Sequence, residues 1–228
     1  MEHAGMYRLQ DFCAGDLMRV QKYSSMGGID AVFSQFKMGQ RAAYDAPCWQ
    51  TPKLGSSITH AYGKPEDISM VEIFGARGQD LTYPEMKWWT DHMHVSGVNF
   101  LIPHSFNPRA PRDTDCPPYF YNGGFEPRWP LYRVFADYTS RLSVLLTGGR
   151  HVCPVALLSP GQSLHTGQGV PIDAISESLQ DALYDCDWLP YEVFVNDTNV
   201  AGNALQLRAE SYRVLIVPAV EVVPHAVL

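Results

Sequence analysis

Glu72 is the residue whose type and setting most clearly indicate chemistry. The segment Ser69–Phe74 is apolar and β-branched except for this one carboxylate, which predicts a buried strand. An ionisable group in such a strand is costly unless it is paired or opens into a polar site. A strand-end carboxylate beside aromatic residues suits the acid, base or nucleophile of glycoside hydrolysis. The alternative is a structural glutamate paired with Arg77, and spacing alone does not separate the two.

A second group of candidates surrounds the predicted strand Val98–Pro103. Asn99 and His104 bracket this strand, and the loop that follows is rich in hydrogen-bonding side chains, as sugar sites often are. A lone histidine is more often a core or capping residue, and most aromatic residues pack rather than bind. For each predicted substrate-binding residue, the alternative is an ordinary packing or capping role. The predicted residues are Asn99, His104, Arg77, Phe74 and Trp88.

Metal and cofactor motifs are incomplete in this sequence. Asp113 and Asp115 have the spacing that begins a calcium loop, but the glycine and terminal glutamate of that motif are missing. The segment after the predicted strand Val155–Ser159 has neither a dinucleotide fingerprint nor a phosphate loop. We expect no cofactor and no metal centre, and calcium is the one ion that any spacing favours.

Charge and composition disfavour several classes of protein. Because 17 Lys and Arg face 24 Asp and Glu, the net charge is −7, and no overall positive field attracts nucleic acid. The apolar runs are shorter than the ~20 residues that span a bilayer, so we expect no membrane segment. The five scattered cysteines have no paired spacing and favour neither a disulfide scaffold nor a zinc ribbon.

The elements that position these residues alternate between strands and helices. In residues 1–149 the patterns predict strands at Ile29–Phe33, Ser69–Phe74 and Val98–Pro103, with helices at Gly15–Ser25, Ser56–Tyr62, a segment capped by Thr82 and Glu85, and Trp129–Leu146. In residues 150–228 they predict strands at Val155–Ser159, Glu192–Val195 and Arg213–Pro218, with a helix at Ala174–Asp187.

This order predicts an α/β protein whose chemistry gathers at the carboxyl ends of parallel strands. We expect residues 1–149 to form the late strands of an incomplete (β/α)8 TIM-type barrel, since a complete one needs eight strands and ~250 residues. Residues 150–228 are typical of the start of a doubly wound domain. We therefore expect this chain to be a piece of a longer protein.

Two stretches of the sequence resemble a known family. VEIFGARGQDLTYPEMKWWTDHMHVSGVNFLIPHSF and PLYRVFADYTSRLSVLLTGGRHVCPVALLSP are similar to large glycoside hydrolases of the α-L-rhamnosidase-like group, family 106 and its relatives. The matching positions are Glu72, Lys87, Asp91, Gly97, Asn99 and His104, and further similarity covers Gly15–Arg19, Gly28–Asp30 and Ser56–Lys64.

The resemblance implies a barrel followed by a flavodoxin-like, class I amidotransferase-like domain without amidotransferase activity. It also implies a glycosidase that acts on oligo- or polysaccharides, with Glu72 as one of two catalytic carboxylates. The sequence names only Glu72 of this pair, and we expect the fragment alone to be inactive. The alternative is a non-catalytic carbohydrate-binding or scaffold module derived from such a barrel. Sugar identity, stereochemical outcome, oligomeric state and localisation stay open.

Overall fold

Short parallel strands covered by helices make up both parts of the chain. The structure is a computed structural model that describes residues 13, 15–32, 36–43, 46, 47, 49–107, 117–161 and 163–228, with only the backbone at 42, 43, 46 and 47. The predicted α/β composition is confirmed: strands and helices alternate along much of the described sequence.

The first part contains a three-stranded parallel sheet. Its strands are β1 (Gly27–Ala31), β4 (Ser69–Ile73) and β5 (Phe100–Pro103), in the order β1-β4-β5. Separately, β2 (Ala42–Ala43) pairs antiparallel with β3 (Ala46–Pro47). The helices of this part are α1 (Leu17–Gln21), α2 (Thr51–Tyr62), α3 (Tyr83–Val95) and α4 (Trp129–Leu145), with 3₁₀ turns at Pro65–Asp67 and Asn122–Gly124.

Helix α3 begins where the sequence predicts. The Thr82 hydroxyl accepts a hydrogen bond from the Glu85 backbone N–H at 3.4 Å, and the Glu85 carboxylate accepts one from the Thr82 N–H at 3.1 Å. Each group satisfies a donor that the first helical turn would leave unpaired. The capping box is therefore confirmed, and it fixes the start of the helix behind β4.

Helix α2 is the most deeply buried helix among the described residues, with residues 51–61 all buried. It lies close to β1 because a glycine occupies the contact: a Cβ at Gly27 would lie only 2.4 Å from the Gly55 carbonyl oxygen. The helix ends at Gly63, whose φ of 60° is a left-handed conformation that glycine adopts without strain.

The second part contains two further three-stranded sheets. Strands β6 (Val155–Ser159), β7 (Asp187–Pro190) and β11 (Val214–Ile216) are parallel in the order β11-β6-β7, and β8 (Asn199–Ala201), β9 (Ala204–Leu207) and β10 (Glu210–Tyr212) form an antiparallel sheet in the order β10-β9-β8. The helices are α5 (Ser163–Thr166), α6 (Ile172–Asp181) and α7 (Tyr191–Asp197), with a 3₁₀ turn at His225–Val227.

The predicted fold class is wrong. The sheet of the first part has three strands, so β1 and β5 are its edges among the described residues and no (β/α)8 barrel, complete or incomplete, is formed. The second part is not the expected flavodoxin-like domain either. Its three parallel strands are interrupted by the antiparallel sheet β8–β10, which the sequence patterns did not indicate.

Two predicted elements of the second part also differ from the structure. The predicted strand Glu192–Val195 is part of helix α7. The Glu192 carboxylate accepts a hydrogen bond from the Tyr62 hydroxyl at 2.9 Å, and the Val193 side chain is buried. The predicted helix Ala174–Asp187 ends at Asp181, because the chain turns through Leu183 at φ 63° and enters β7. Tertiary contacts therefore override local propensity at Glu192–Val195.

One buried apolar cluster extends across both parts, from Leu17 of α1 to Trp188 of β7. The boundary predicted near residue 149 stays a prediction. Within the described ranges, no helix combines the length and apolarity that crossing a bilayer would need.

Candidate functional site

Glu72 lies near the carboxyl end of β4, on the less buried face of the first sheet. Its neighbours Val71 and Ile73 point the other way and are fully buried, whereas the Glu72 side chain keeps 26% of its surface exposed. This alternation follows from the two-residue period of a strand, which sends successive side chains to opposite faces. The carboxylate therefore faces outward from the core.

His104 lies directly after β5 and reaches Glu72. Its backbone N–H donates to the Ile73 carbonyl at 2.9 Å, which extends the sheet by one residue. Its Nδ1 is 3.3 Å from Glu72 Oε1, and 19% of the imidazole side chain is exposed. Gly75 borders the ring, and a Cβ there would lie 3.6 Å from His104 Cγ and 2.9 Å from Val32 Cγ1. The sequence thus brings the two predicted residues together from adjacent strand ends.

Asp30 of β1 is a second carboxylate on this face, and sequence reasoning did not assign it a role. Asp30 is in register with Glu72, so their backbones are about 4.8 Å apart across the parallel ladder and both side chains point the same way. Both residues are half-buried. One sequence signal does point to Asp30. It is the fourth residue of the strand Gly27–Ala31, as Glu72 is the fourth residue of Ser69–Ile73.

The turn after β4 is conformationally strained. Phe74 and Ala76 have φ values of 80° and 54°, which non-glycine residues adopt at a cost. The Phe74 N–H donates to the Ala31 carbonyl at 3.0 Å, and the Arg77 N–H donates to the Phe74 carbonyl at 3.2 Å. Such strain occurs preferentially at functional sites, and here it begins two residues after Glu72.

Arg77 and Phe74 do not meet Glu72. The Arg77 guanidinium lies 3.2 Å from Asp80 and 2.9 Å from Glu85, so its ion pairs belong to the turn and to the start of α3. Phe74 is fully buried and stacks on Trp89 with ring centroids 5.6 Å apart. The structural alternative of a Glu72–Arg77 pair is thus not what the geometry shows, and the Phe74 ring is inaccessible to a ligand.

The contacts of Asn99 and Trp88 are also with the scaffold and not with the carboxylates. Asn99 lies before β5, at the opposite end of that strand from His104, where its Oδ1 accepts from the Ser69 N–H and its Nδ2 donates to the Asp67 carbonyl, both at 2.9 Å. Trp88 is half-buried on α3 and packs on Trp49 at 5.4 Å between ring centroids. Both side chains serve the scaffold in this structure.

Aromatic side chains follow His104 along the chain. Phe106 is 42% exposed and Tyr121 is 37% exposed, and both rings contact Trp129, at 5.7 and 5.2 Å between centroids. Partly exposed rings that are held by neighbours suit stacking against the apolar face of a sugar. The calcium candidates Asp113 and Asp115 lie outside the described residues.

A second cluster of histidines and carboxylates lies in the interior. We call it the buried ion cluster; it contains Lys53, His60, His151, Asp187 and Glu210, with Asp185 at its edge. His60 Nδ1 is 2.9 Å from Asp187 Oδ1. The imidazole rings of His60 and His151 stack with their centroids 4.1 Å apart. Asp187 is 2% exposed and also accepts from the Tyr212 hydroxyl at 3.0 Å.

Both histidines of the buried ion cluster favour the protonated form, because carboxylates surround them. Burial would lower the pKa of His60, but the charge and hydrogen bond of Asp187 outweigh it and raise that pKa to about 10. Burial also lowers the pKa of His151, but its hydrogen bonds to Asp185 and Glu210 outweigh this effect. The pKa of His151 therefore rises to about 9. His60, His151 and Glu210 have ligand atoms within 4.8 Å of one another, and a metal ion could bind there only by displacing the protons of both imidazoles. The arrangement favours an ion network.

Comparison with known proteins finds solved structures of similar fold. Over 89% of this chain, the fold is similar to that of a rhamnosidase from Novosphingobium sp. PP1Y, with a TM-score of 0.67 and 19% sequence identity. The chain spans 19% of that rhamnosidase's own length. No protein-family model and no curated protein sequence matches the chain. The likeness is therefore one of fold, to part of a glycoside hydrolase.

Proposed function

We propose that this chain carries the catalytic carboxylates of an O-glycoside hydrolase, with Glu72 and Asp30 as the pair. The observation that carries the proposal is their register on neighbouring parallel strands, on the same half-buried face, with His104 against Glu72. The structural similarity to a rhamnosidase, a glycoside hydrolase, supports the same class of reaction.

The reaction needs two carboxyl groups that flank the scissile bond, one to protonate the leaving oxygen and one to act on the anomeric carbon or on a water. Glu72 has the longer side chain and the greater reach beyond the sheet, and His104 restricts its rotation through the Nδ1 contact. We therefore assign Glu72 as the nucleophile or base and Asp30 as the acid. His104 is a positioning residue in this scheme.

Hydrolysis of 4-nitrophenyl glycosides, beginning with the α-L-rhamnopyranoside, tests the proposal on this chain. Because the second carboxylate is supplied by the same chain, we expect measurable turnover despite the inactivity expected of a lone Glu72. Glu72→Gln and Asp30→Asn should each lower kcat by about 10²–10⁴-fold, the usual contribution of a positioned acid or base. His104→Gln should lower kcat less than either.

The matched control is Glu66→Gln, because Glu66 is an exposed carboxylate on the 3₁₀ turn before β4. It should leave turnover unchanged. If Glu72→Gln keeps most of the wild-type activity, Glu72 is not catalytic and the assignment is wrong.

A non-catalytic carbohydrate-binding module is the second candidate, and the partly exposed Phe106 and Tyr121 rings favour it. Such a module would bind a sugar with no turnover by the wild-type protein. Calorimetric binding that Tyr121→Ala abolishes, together with absent hydrolysis, would replace the hydrolase proposal by this one.

A further inference from the structure

The central strand of the second parallel sheet ends beside a cavity. The chain leaves β6 for β7 on one side and later returns to β11 on the other, with all three strands parallel. In open parallel sheets a crevice forms outside the carboxyl end of the strand where this order reverses, and ligands bind there. The carboxyl end of β6 is formed by Ser159, followed by Pro160 and Gly161.

A cavity of about 490 Å³ occupies this position. Its volume lies within the ~300–1,000 Å³ that small-molecule sites usually have. The apolar part of its wall combines side chains from α1, α2, α6 and β7, namely Leu17, Met18, Leu54, Ile172 and Trp188. All five of these side chains are buried, so the wall is built by the core and does not depend on a ligand to form.

The wall of the cavity also has a polar part. It is formed by Asp16, Ser159, His165 and Gln168, and the described lining contains neither lysine nor arginine. Asp16 lies close to the loop after β6, at Gly161. A Cβ at Gly161 would lie only 3.0 Å from Asp16 Oδ2, so the close approach depends on the glycine. A carboxylate without a lining cation disfavours phosphates and other anions.

We infer that this cavity binds a small uncharged ligand with an apolar ring face and an edge of hydroxyl groups. The ring face lies against the apolar wall, while the hydroxyls donate to the Asp16 carboxylate and exchange hydrogen bonds with Ser159. The site is separate from Glu72, since it belongs to the other parallel sheet, and it does not depend on the proposed hydrolysis.

Titration of the ¹⁵N-labelled chain with trans-1,2-cyclohexanediol tests the inference, because this probe has the ring face and the hydroxyl edge without other chemistry. We expect saturable chemical-shift changes at Leu54, Ser159 and the Trp188 indole, with Kd on the order of 1 mM for so small a probe. Cyclohexanecarboxylate, the anionic counterpart, should bind at least tenfold more weakly.

Two variants sharpen the test. Leu164→Trp places an indole in the cavity from its rim and should abolish the changes, whereas Val200→Trp on the exposed face of β8 should leave them intact. Asp16→Asn keeps an N-cap acceptor for the Arg19 N–H, so the chain should fold, and it should allow the carboxylate probe to bind. Unsaturable shifts, binding that survives Leu164→Trp, or tighter binding of the anion by the wild type would each overturn the inference.

Discussion

The chain contains two histidine–carboxylate clusters that differ in how completely they are enclosed. At the open one, His104 and Glu72 are 3.3 Å apart and both side chains keep part of their surface in solvent. In the buried ion cluster, His60 and Asp187 are 2.9 Å apart and almost fully enclosed. The same pair of residue types thus occurs once in partial contact with solvent and once almost fully enclosed.

This difference separates chemistry from stability. A buried charge whose partner is removed loses both its solvent and its compensation, so enclosed pairs are costly to break. A pair that remains in contact with water contributes little to folding, and its groups stay accessible to a substrate. We therefore expect the buried ion cluster to control stability and the open pair to control activity.

Among the single substitutions, the largest expected effect on stability is that of Asp187→Ala. Removing this carboxylate leaves His60, His151 and Lys53 with less compensation in the interior, and should lower the free energy of unfolding by about 3–5 kcal/mol. Urea denaturation followed by circular dichroism measures the change. A loss no larger than that of Glu72→Ala would show that enclosure does not distinguish the two clusters.

Raising the pH should weaken the buried ion cluster more gradually. The pKa values of about 10 for His60 and about 9 for His151 lie above the ordinary 6.5, so their contribution is fully present below pH 6.5 and is lost as the pH rises through 9 to 10. The slope should approach −1.4 kcal/mol per pH unit for each proton that only the folded state retains.

Unfolding curves at pH 6, 8 and 10 test this dependence, and a His60→Gln, His151→Gln double variant is the control. If the double variant folds, its stability should vary less with pH over this interval. An unchanged slope would assign the dependence to other groups.

Tyr212→Phe should have a smaller effect. The variant removes only the hydroxyl that donates to Asp187 at 3.0 Å and keeps the buried ring. A hydrogen bond to a charged group is worth about 1.5–3 kcal/mol, which is the expected loss in the free energy of unfolding. Tyr184→Phe, at a position 58% exposed, should change stability by less than the error of the measurement.

The smallest stability effect is expected at the open pair. Glu72→Gln and His104→Gln should each change the free energy of unfolding by less than about 1 kcal/mol, as is usual for partly exposed ion pairs. Thermal and urea unfolding of both variants beside Glu66→Gln give the comparison. A loss of more than about 2 kcal/mol for Glu72→Gln would identify a structural carboxylate, because only enclosed groups cost so much.

Local rules in the sequence predict the open pair and the elements that hold it. The apolar run around Glu72 ends as a strand at Ile73, and the Thr82 capping box begins α3 as expected. These features depend on residues close in sequence, which is why periodicity and capping chemistry suffice. The role of Asp30 does not follow from the sequence, because nothing in its strand indicates that this strand pairs with the one that contains Glu72.

The buried ion cluster could not be predicted in the same way. Its members come from α2, from the segment before β6, and from β7 and β10, and no motif links such distant positions. The sequence pattern predicts Asp187 at the end of a helix, because the helical periodicity continues past the turn at Leu183. Packing between the two parts decides these contacts, and the same packing converts the predicted strand at Glu192 into a helix.

Helix α2 has a consequence for how the molecule opens. It contacts β1 through the close approach of Gly27 and Gly55, and it contacts β7 through the Ser57 hydroxyl, which accepts from the Trp188 N–H at 2.8 Å. Neither parallel sheet can separate from the rest without exposing this helix to water. The amide protons of residues 55–61 should therefore be among the slowest to exchange with deuterium, and their exchange should report the cooperative unfolding of both sheets at once.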